Sequence, residues 1–301
     1  MTRHLIDVVD FSAAEISAIL DLAETPIDDL RQPLVGQGAA LIFEKPSART
    51  RHSMEMAVVQ LGGHPVFTRG EEIGFGTREP VEDVARIMEG FHALIAARVF
   101  DHSTVTRLAA VSSVPVINML SDHSHPLQAF ADALTMRQNL GDLDGQTVAF
   151  VGDYNNVARS LTEISALLGM HVRLASPPGF EADAAELERI LLLGAASVEQ
   201  GNRPIDMVVG ADAVHTDTWV SMGEEVNKAE KLQKFEGFTV DESMMDAAGA
   251  NSIFMHCLPA YRGLEVSADV IDGPRSVVFQ QGHNRMHAAR GALAFLLGDN
   301  A

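Results

Sequence analysis

The chain has 301 residues, which by length suggests about two domains. Apolar residues make up 47 % and charged residues 21 %, a balance that excludes a disordered, collagenous or disulfide-stapled chain. With 22 Lys+Arg against 41 Asp+Glu the formal charge is −19, which argues against nucleic acid or an anionic membrane held by bulk charge but leaves room for a local basic pocket. Cys257 is the one cysteine, so an internal disulfide and a cysteine-rich zinc site are both excluded. The segment Met1–Asp7 has no apolar signal core, and no apolar run approaches the roughly 18 residues of a membrane span. The expectation is a soluble cytoplasmic protein.

In chain order, the first helix is announced by a capping box of Ser12 and Glu15, a staple of Phe11 and Ile16, and helical spacing of Ile16, Ile19, Leu20 and Ala23. Gly38–Phe43 reads as a strand, followed by a loop and a helix to about Leu61. Glu79–Phe91 reads as a helix, Ala93–Val99 as a strand, Val105–Val111 as a helix and Val114–Met119 as extended. Pro126–Leu140 is a long amphipathic helix. The alternation then restarts: strand Thr147–Val151, helix Val157–Leu168, strand Val172–Ala175, helix Ala184–Leu193. Met207–Gly210, Ser252–Met255 and Val277–Phe279 are further strand candidates, and a final helix covers about Arg285–Leu297. Such alternation predicts an α/β protein of two domains, each a parallel sheet flanked by helices. The polar stretch Asn139–Gln146 is the best boundary, giving domains 1–140 and 141–301. The long helix and the terminal helix, about 284–297, are expected to join them, the latter packing back on the first domain.

Five segments carry chemistry. Phe43–Arg51 lies at a strand-to-helix turn, where Ser47, Thr50, Arg49, Arg51 and free backbone N–H groups suit a phosphate; a capped helix with solvated arginines is the alternative. In His125-Pro-Leu-Gln128 the imidazole can donate to a carbonyl and the amide can bond an amide, or the segment is only a helix cap. His123 and His125 lack a Cys or carboxylate at ligand spacing, so no metal is expected. Val151-Gly-Asp-Tyr-Asn-Asn156 lacks the G-x-G-x-x-G of a dinucleotide site; Asn155 and Asn156 either hold an amino acid or form an ordinary turn. In Asp217–Gly223 a carboxylate suits an ammonium and Ser221 a carboxylate, with Trp219 packing in a plain loop as the alternative. His256-Cys-Leu-Pro259 follows a strand, where α/β folds bind ligands, yet a buried inert Cys257 would look the same.

Taken in order, these segments resemble the ornithine carbamoyltransferase family over nearly the whole chain. The S-x-R-T-R loop and HPLQ are shared with aspartate carbamoyltransferases; Ser221-Met-Gly223 and HCLP tilt the resemblance to ornithine. The resemblance implies that Ser47, Ala48, Arg49, Thr50, Arg98, His125, Gln128, Cys257, Leu258 and Arg285 bind carbamoyl phosphate. It implies that Asn156, Asp217, Ser221 and Met222 bind ornithine, and that Arg98, His125, Asp217 and Cys257 are catalytic. The implied reaction is attack of the neutral δ-amine of L-ornithine on the carbamoyl carbon, giving L-citrulline and phosphate without any cofactor. Relatives imply a homotrimer or a multiple of trimers. Ala48 stands where the family usually has Thr, and Gly74 where it often has Gln. The rivals are a carbamoyltransferase for putrescine or an acylated ornithine, a nucleotide-dependent oxidoreductase, and a non-catalytic relative.

Overall fold

The structure, a computed structural model, describes residues 2–220 and 228–298. By internal contacts the chain forms two compact units, Met1–Leu134 with His283–Ala301, and Thr135–Gly282.

The first unit holds helix α1 (Ala13–Glu24), strand β1 (Gly38–Phe43), α2 (Ala48–Gln60), β2 (His64–Arg69), α3 (Gly70–Ile73), α4 (Val81–Met88), β3 (Leu94–Arg98), α5 (His102–Val111) and β4 (Val116–Leu120). It also holds most of α6 (Pro126–Leu140). Its sheet is parallel, in the order β2-β1-β3-β4. Ala40 and Ile42 of β1, Ile95 and Ala97 of β3 and Val116 of β4 meet Val84 of α4 and Val105 and Leu108 of α5 in one buried cluster. Ser12 and Glu15 cap α1 reciprocally, as the capping-box pattern predicts.

The second unit runs β5 (Thr147–Val151), α7 (Asn156–Leu167), β6 (His171–Ala175), α8 (Ala184–Leu193), β7 (Ser197–Gly201), α9 (Pro204–Val208), β8 (Ala213–Thr216), α10 (Lys228–Lys234), α11 (Glu242–Ala248), β9 (Ile253–His256) and α12 (Ala268–Ile271). The start of α13 (Val278–Leu296) belongs to it as well. Its sheet is parallel, in the order β7-β6-β5-β8-β9. Its core gathers Val151, Val214 and Phe254 with Phe235, Met245 and Ile271. Two parallel sheets flanked by helices are what the alternation predicts. The contact boundaries fall inside α6 and α13, so each of these helices contributes residues to both units.

Two strand readings are corrected. Met207–Gly210 is not a strand: Pro204 opens the helix α9, Gly210 adopts a left-handed φ of 67°, and the strand follows at Ala213. Val277–Phe279 is extended only at its start. Phe254 N–H donates to Arg275 O and Val277 N–H to Phe254 O, and α13 begins at Val278.

In both sheets the strand order reverses beside the first strand, between β1 and β3 and between β5 and β8. At such a switch point the loops leaving the carboxyl ends diverge and open a crevice. The segments with Ser47, Arg98, Asn155 and Asp217 leave these strand ends, and those with His125 and Cys257 follow the adjoining strands β4 and β9.

Candidate active site

In the first unit, β1 leads into Ser47, the N-cap of α2, whose Oγ accepts from Thr50 N–H at 3.3 Å. The neighbouring strand β3 ends at Arg98, where a register shift against β4 re-aims the chain. Arg98 Nη1 donates to Thr50 Oγ1 at 3.3 Å, and Arg285 Nη2, from α13, donates to the same oxygen at 2.7 Å. Thr50, Arg98 and Arg285 are all buried. Ala48 and Arg49 occupy the first two positions of α2 and are exposed, so Ala48 has only its backbone N–H to offer an anion. Arg51 is engaged elsewhere, with Glu55 at 2.8 Å and stacked on the ring of Phe67.

Beyond β4 a turn holds the start of α6. Ser121 N–H donates to Ser124 O, Ser124 Oγ donates to Asp7 Oδ1 at 2.8 Å, and Asn118 Nδ2 donates to Ser121 Oγ. His125 follows, 4 % exposed. Burial, and then the guanidiniums of Arg285 and Arg98, hold its imidazole well below the usual 6.5. It is therefore a neutral hydrogen-bonding group at pH 7. Gln128 Nε2 donates to buried Asp132 Oδ1 at 2.8 Å, while its Oε1 is buried with no partner among the described residues and can accept from an amide N–H. Two buried arginines, a helix N-terminus and a neutral imidazole form a set of donors for an anion with a carbonyl, in a chain whose net charge is −19.

In the second unit, Asn155 follows β5 and caps α7, its Oδ1 accepting from Val157 N–H and Ala158 N–H at 2.9 and 3.1 Å. Its Nδ2 donates to Asp217 Oδ2 at 2.9 Å. Asp217 follows β8 across the switch point and is 9 % exposed. From the end of β9, Cys257 Sγ donates to Asp217 Oδ1 at 2.9 Å. Leu258 takes a left-handed φ of 58°, a strained conformation for a branched residue. His256 supports the turn: Leu258 N–H donates to its Nδ1 at 2.8 Å, so the ring proton sits on Nε2, facing buried Glu265 at 3.3 Å. Its backbone N–H donates to Gln281 Oε1. Trp219, two residues past Asp217, is buried against Phe235 with ring centroids 5.3 Å apart.

Donor atoms of Asp217, His256 and Cys257 lie within 4.8 Å of one another, close enough for a metal. Both nitrogens of His256 already face Leu258 N–H and Glu265, and the Cys257 thiol faces Asp217. The hydrogen bonds of His256 to Leu258 and Glu265, and of Cys257 to Asp217, account for these atoms without a metal.

Of the expected residues, Ser47, Thr50, Arg98 and Arg285 converge directly, with His125 under the field of both arginines. Asp217 and Cys257 also meet. Asn156 is the first residue of α7, next in sequence to the Asn155 that bonds Asp217. Ser221 and Met222 lie outside the described residues. One contributor, Glu265, is not among the residues the sequence singles out. Asn155, one of the two candidate asparagines, bonds Asp217 while also capping α7. Glu265 gives no local signal, since only the fold brings it to His256. Gly74 has a φ of 65°, and an added Cβ would sit 2.8 Å from Arg78 Cβ, so this loop leaves no room for a glutamine there.

Comparison with known proteins matches residues 3–138 to the "Aspartate/ornithine carbamoyltransferase, carbamoyl-P binding domain" and residues 144–296 to the "Aspartate/ornithine carbamoyltransferase, Asp/Orn binding domain". The chain is 44 % identical over 299 residues to a Thermus thermophilus protein named ornithine carbamoyltransferase, covering 99 % of this chain and 97 % of that one. It is likewise 44 % identical to a catabolic ornithine carbamoyltransferase of Halobacterium salinarum, covering 96 % and 97 %. The solved ornithine carbamoyltransferase of Pyrococcus furiosus superposes with a TM-score of 0.93 at 40 % identity, covering 99 % and 98 %. With the switch-point geometry and full-length matches in agreement, the chain belongs to the aspartate/ornithine carbamoyltransferase family.

Proposed function

We propose that the chain is an ornithine carbamoyltransferase, moving the carbamoyl group of carbamoyl phosphate to the δ-amine of L-ornithine and releasing L-citrulline and phosphate. The observation that carries the reading is the convergence of Arg98 and Arg285, from distant parts of the chain, on Thr50 Oγ1 at the N-terminus of α2. The phosphate binds those arginines, Arg49, Ser47 and the free N–H groups of α2, including that of Ala48. His125, neutral at working pH, donates to the carbamoyl oxygen together with Arg98 and Thr50, stabilising the charge that develops there. The Oε1 of Gln128 takes the carbamoyl N–H.

On the acceptor side, Asp217 receives the ammonium, with Asn155, Asn156, Ser221 and Met222 holding the amino acid. Cys257 orients the amine through Asp217, and the family resemblance supports a role for the backbone carbonyl of Leu258 between the two substrates. A free δ-amine carries a proton at pH 7, its pKa lying near the ordinary amine value of about 10.4. The ammonium gives up one proton to solvent before attack, since only the neutral amine has a lone pair; as its nitrogen bonds the carbamoyl carbon and the carbon–oxygen bond to phosphate breaks, the second proton leaves with the released phosphate. Alignment of two substrates supplies up to about 7–11 kcal/mol in well-oriented cases, with no covalent intermediate.

A homotrimer and a cytoplasmic place in arginine biosynthesis complete the proposal, supported by the family resemblance. No described helix is long and apolar enough to cross a membrane. The deciding experiment measures ureido product from carbamoyl phosphate with ornithine, aspartate, putrescine and N-acetylornithine in parallel. Citrulline is expected to dominate; faster turnover of another acceptor would overturn the assignment, and light scattering at three monomer masses checks the trimer.

A further inference from the structure

The acceptor side of the second unit contains a partly buried ion pair to which no role has been given so far. Lys231, on α10, is 9 % exposed, and its Nζ lies 2.7 Å from Asp153 Oδ2. Its ammonium stands 5.3 Å from the ring centroid of Phe180 and 6.0 Å from that of Phe235. Asp153 belongs to the loop that leaves β5, two residues before Asn155, and Asn155 N–H donates back to Asp153 O at 2.7 Å. The same loop is tied to the aromatic cluster by Tyr154 N–H donating to Phe180 O at 3.0 Å. On the other side, Phe235 packs against Trp219, two residues past Asp217. Lys231 therefore touches both arms of the acceptor site: the Asn155 loop through its charge and the Asp217 segment through the ring of Phe235.

An ion pair drawn partly out of water is a poor source of stability, because desolvation offsets much of the attraction; its better-attested use is to fix one arrangement among several. Among the contacts described, the one with Asp153 ties the Lys231 charge directly to the loop that carries Asn155. We infer that Lys231 and Asp153 are a positioning pair for the acceptor amino acid, holding the loop so that Asn155 meets Asp217. The inference rests on the proposed carbamoyl transfer.

The test compares wild type with Lys231→Met, Asp153→Asn and Lys231→Arg, measuring KM for ornithine and for carbamoyl phosphate separately, with thermal melting as the folding control. Lys231→Met and the isosteric Asp153→Asn are each expected to raise KM for ornithine at least about tenfold, the size of coupling found within one interaction network. KM for carbamoyl phosphate stays near the wild-type value, and Lys231→Arg recovers most of the loss. The double variant Asp153→Asn/Lys231→Met should be no worse than the poorer single variant. Unchanged ornithine saturation in the folded variants, or equal loss for both substrates, overturns the positioning role. A collapse of melting temperature in Asp153→Asn as well as Lys231→Met assigns the pair to folding and overturns it too. Absence of citrulline from the wild-type protein would instead sink the carbamoyl-transfer reading on which the inference stands.

Discussion

Thr50 accepts from two buried arginines, so its hydroxyl sets where their planes point as well as offering itself to substrate. In the proposed reaction Arg98 is a charged donor to the carbamoyl oxygen. Arg98→Ala is expected to lower kcat by about 10²–10³, the cost of one such donor, as read in a citrulline assay. On the acceptor side Asp217→Asn leaves the shape and removes the charge: KM for ornithine rises while that for carbamoyl phosphate holds, and unchanged ornithine saturation would refute the role. His125 makes a prediction about pH. Its folded pKa is depressed, so between that value and about 6.5 the unfolded chain binds the proton and the folded chain does not. Stability linked to His125 is complete above pH 6.5 and falls as the pH drops below it. In His125→Asn the melting temperature should therefore decline less steeply from pH 7 to 5 than in wild type.

At the scale of elements, caps and close approaches decide what the sequence reveals. Ser12 is exposed and serves only the start of α1, so Ser12→Ala should cost about 0.5–2 kcal/mol of stability with citrulline synthesis unchanged. Gly291 in α13 is different. A Cβ there would sit 2.4 Å from Ile19 O and 2.7 Å from Ala23 N, both backbone atoms of α1. Gly291→Ala should destabilise by about 1–3 kcal/mol, seen as a lower melting temperature. This tight approach has no signature in the local pattern, where a glycine in a helix looks merely unfavourable. Strands fared likewise. Gly38–Phe43 and Thr147–Val151 were legible because each is a run of apolar residues, nearly all buried. The edge strands β2, with a proline and exposed positions, and β7 carry no such run and were not read from sequence, nor was the four-residue β8. Arg98, His125, Asp217 and Cys257 were legible because resemblance marks them; Asn155 against Asp217, and Glu265 behind His256, become visible only when parallel strands bring their ends together.

At the scale of the molecule, the charge of −19 and the arginine-rich phosphate site pull in opposite directions. The acidic surface repels a dianion at range, but over no more than a Debye length of about 8 Å at physiological salt. Raising ionic strength from low to physiological should leave the apparent KM for carbamoyl phosphate flat or slightly lower. A steep rise would mean that the buried arginines attract substrate well beyond their pocket.

The packing of Trp219 on Phe235 has a spectroscopic consequence. Trp219 is the one tryptophan, and the two tyrosines are Tyr154 and Tyr261, so every strong near-ultraviolet chromophore lies between Thr135 and Gly282. Intrinsic fluorescence therefore watches one unit, while far-ultraviolet circular dichroism watches the helices of both. Unfolding curves recorded by the two methods on one sample would superpose if the units melt together, and any lag between them would give the independent stability of the optically silent unit without a single label.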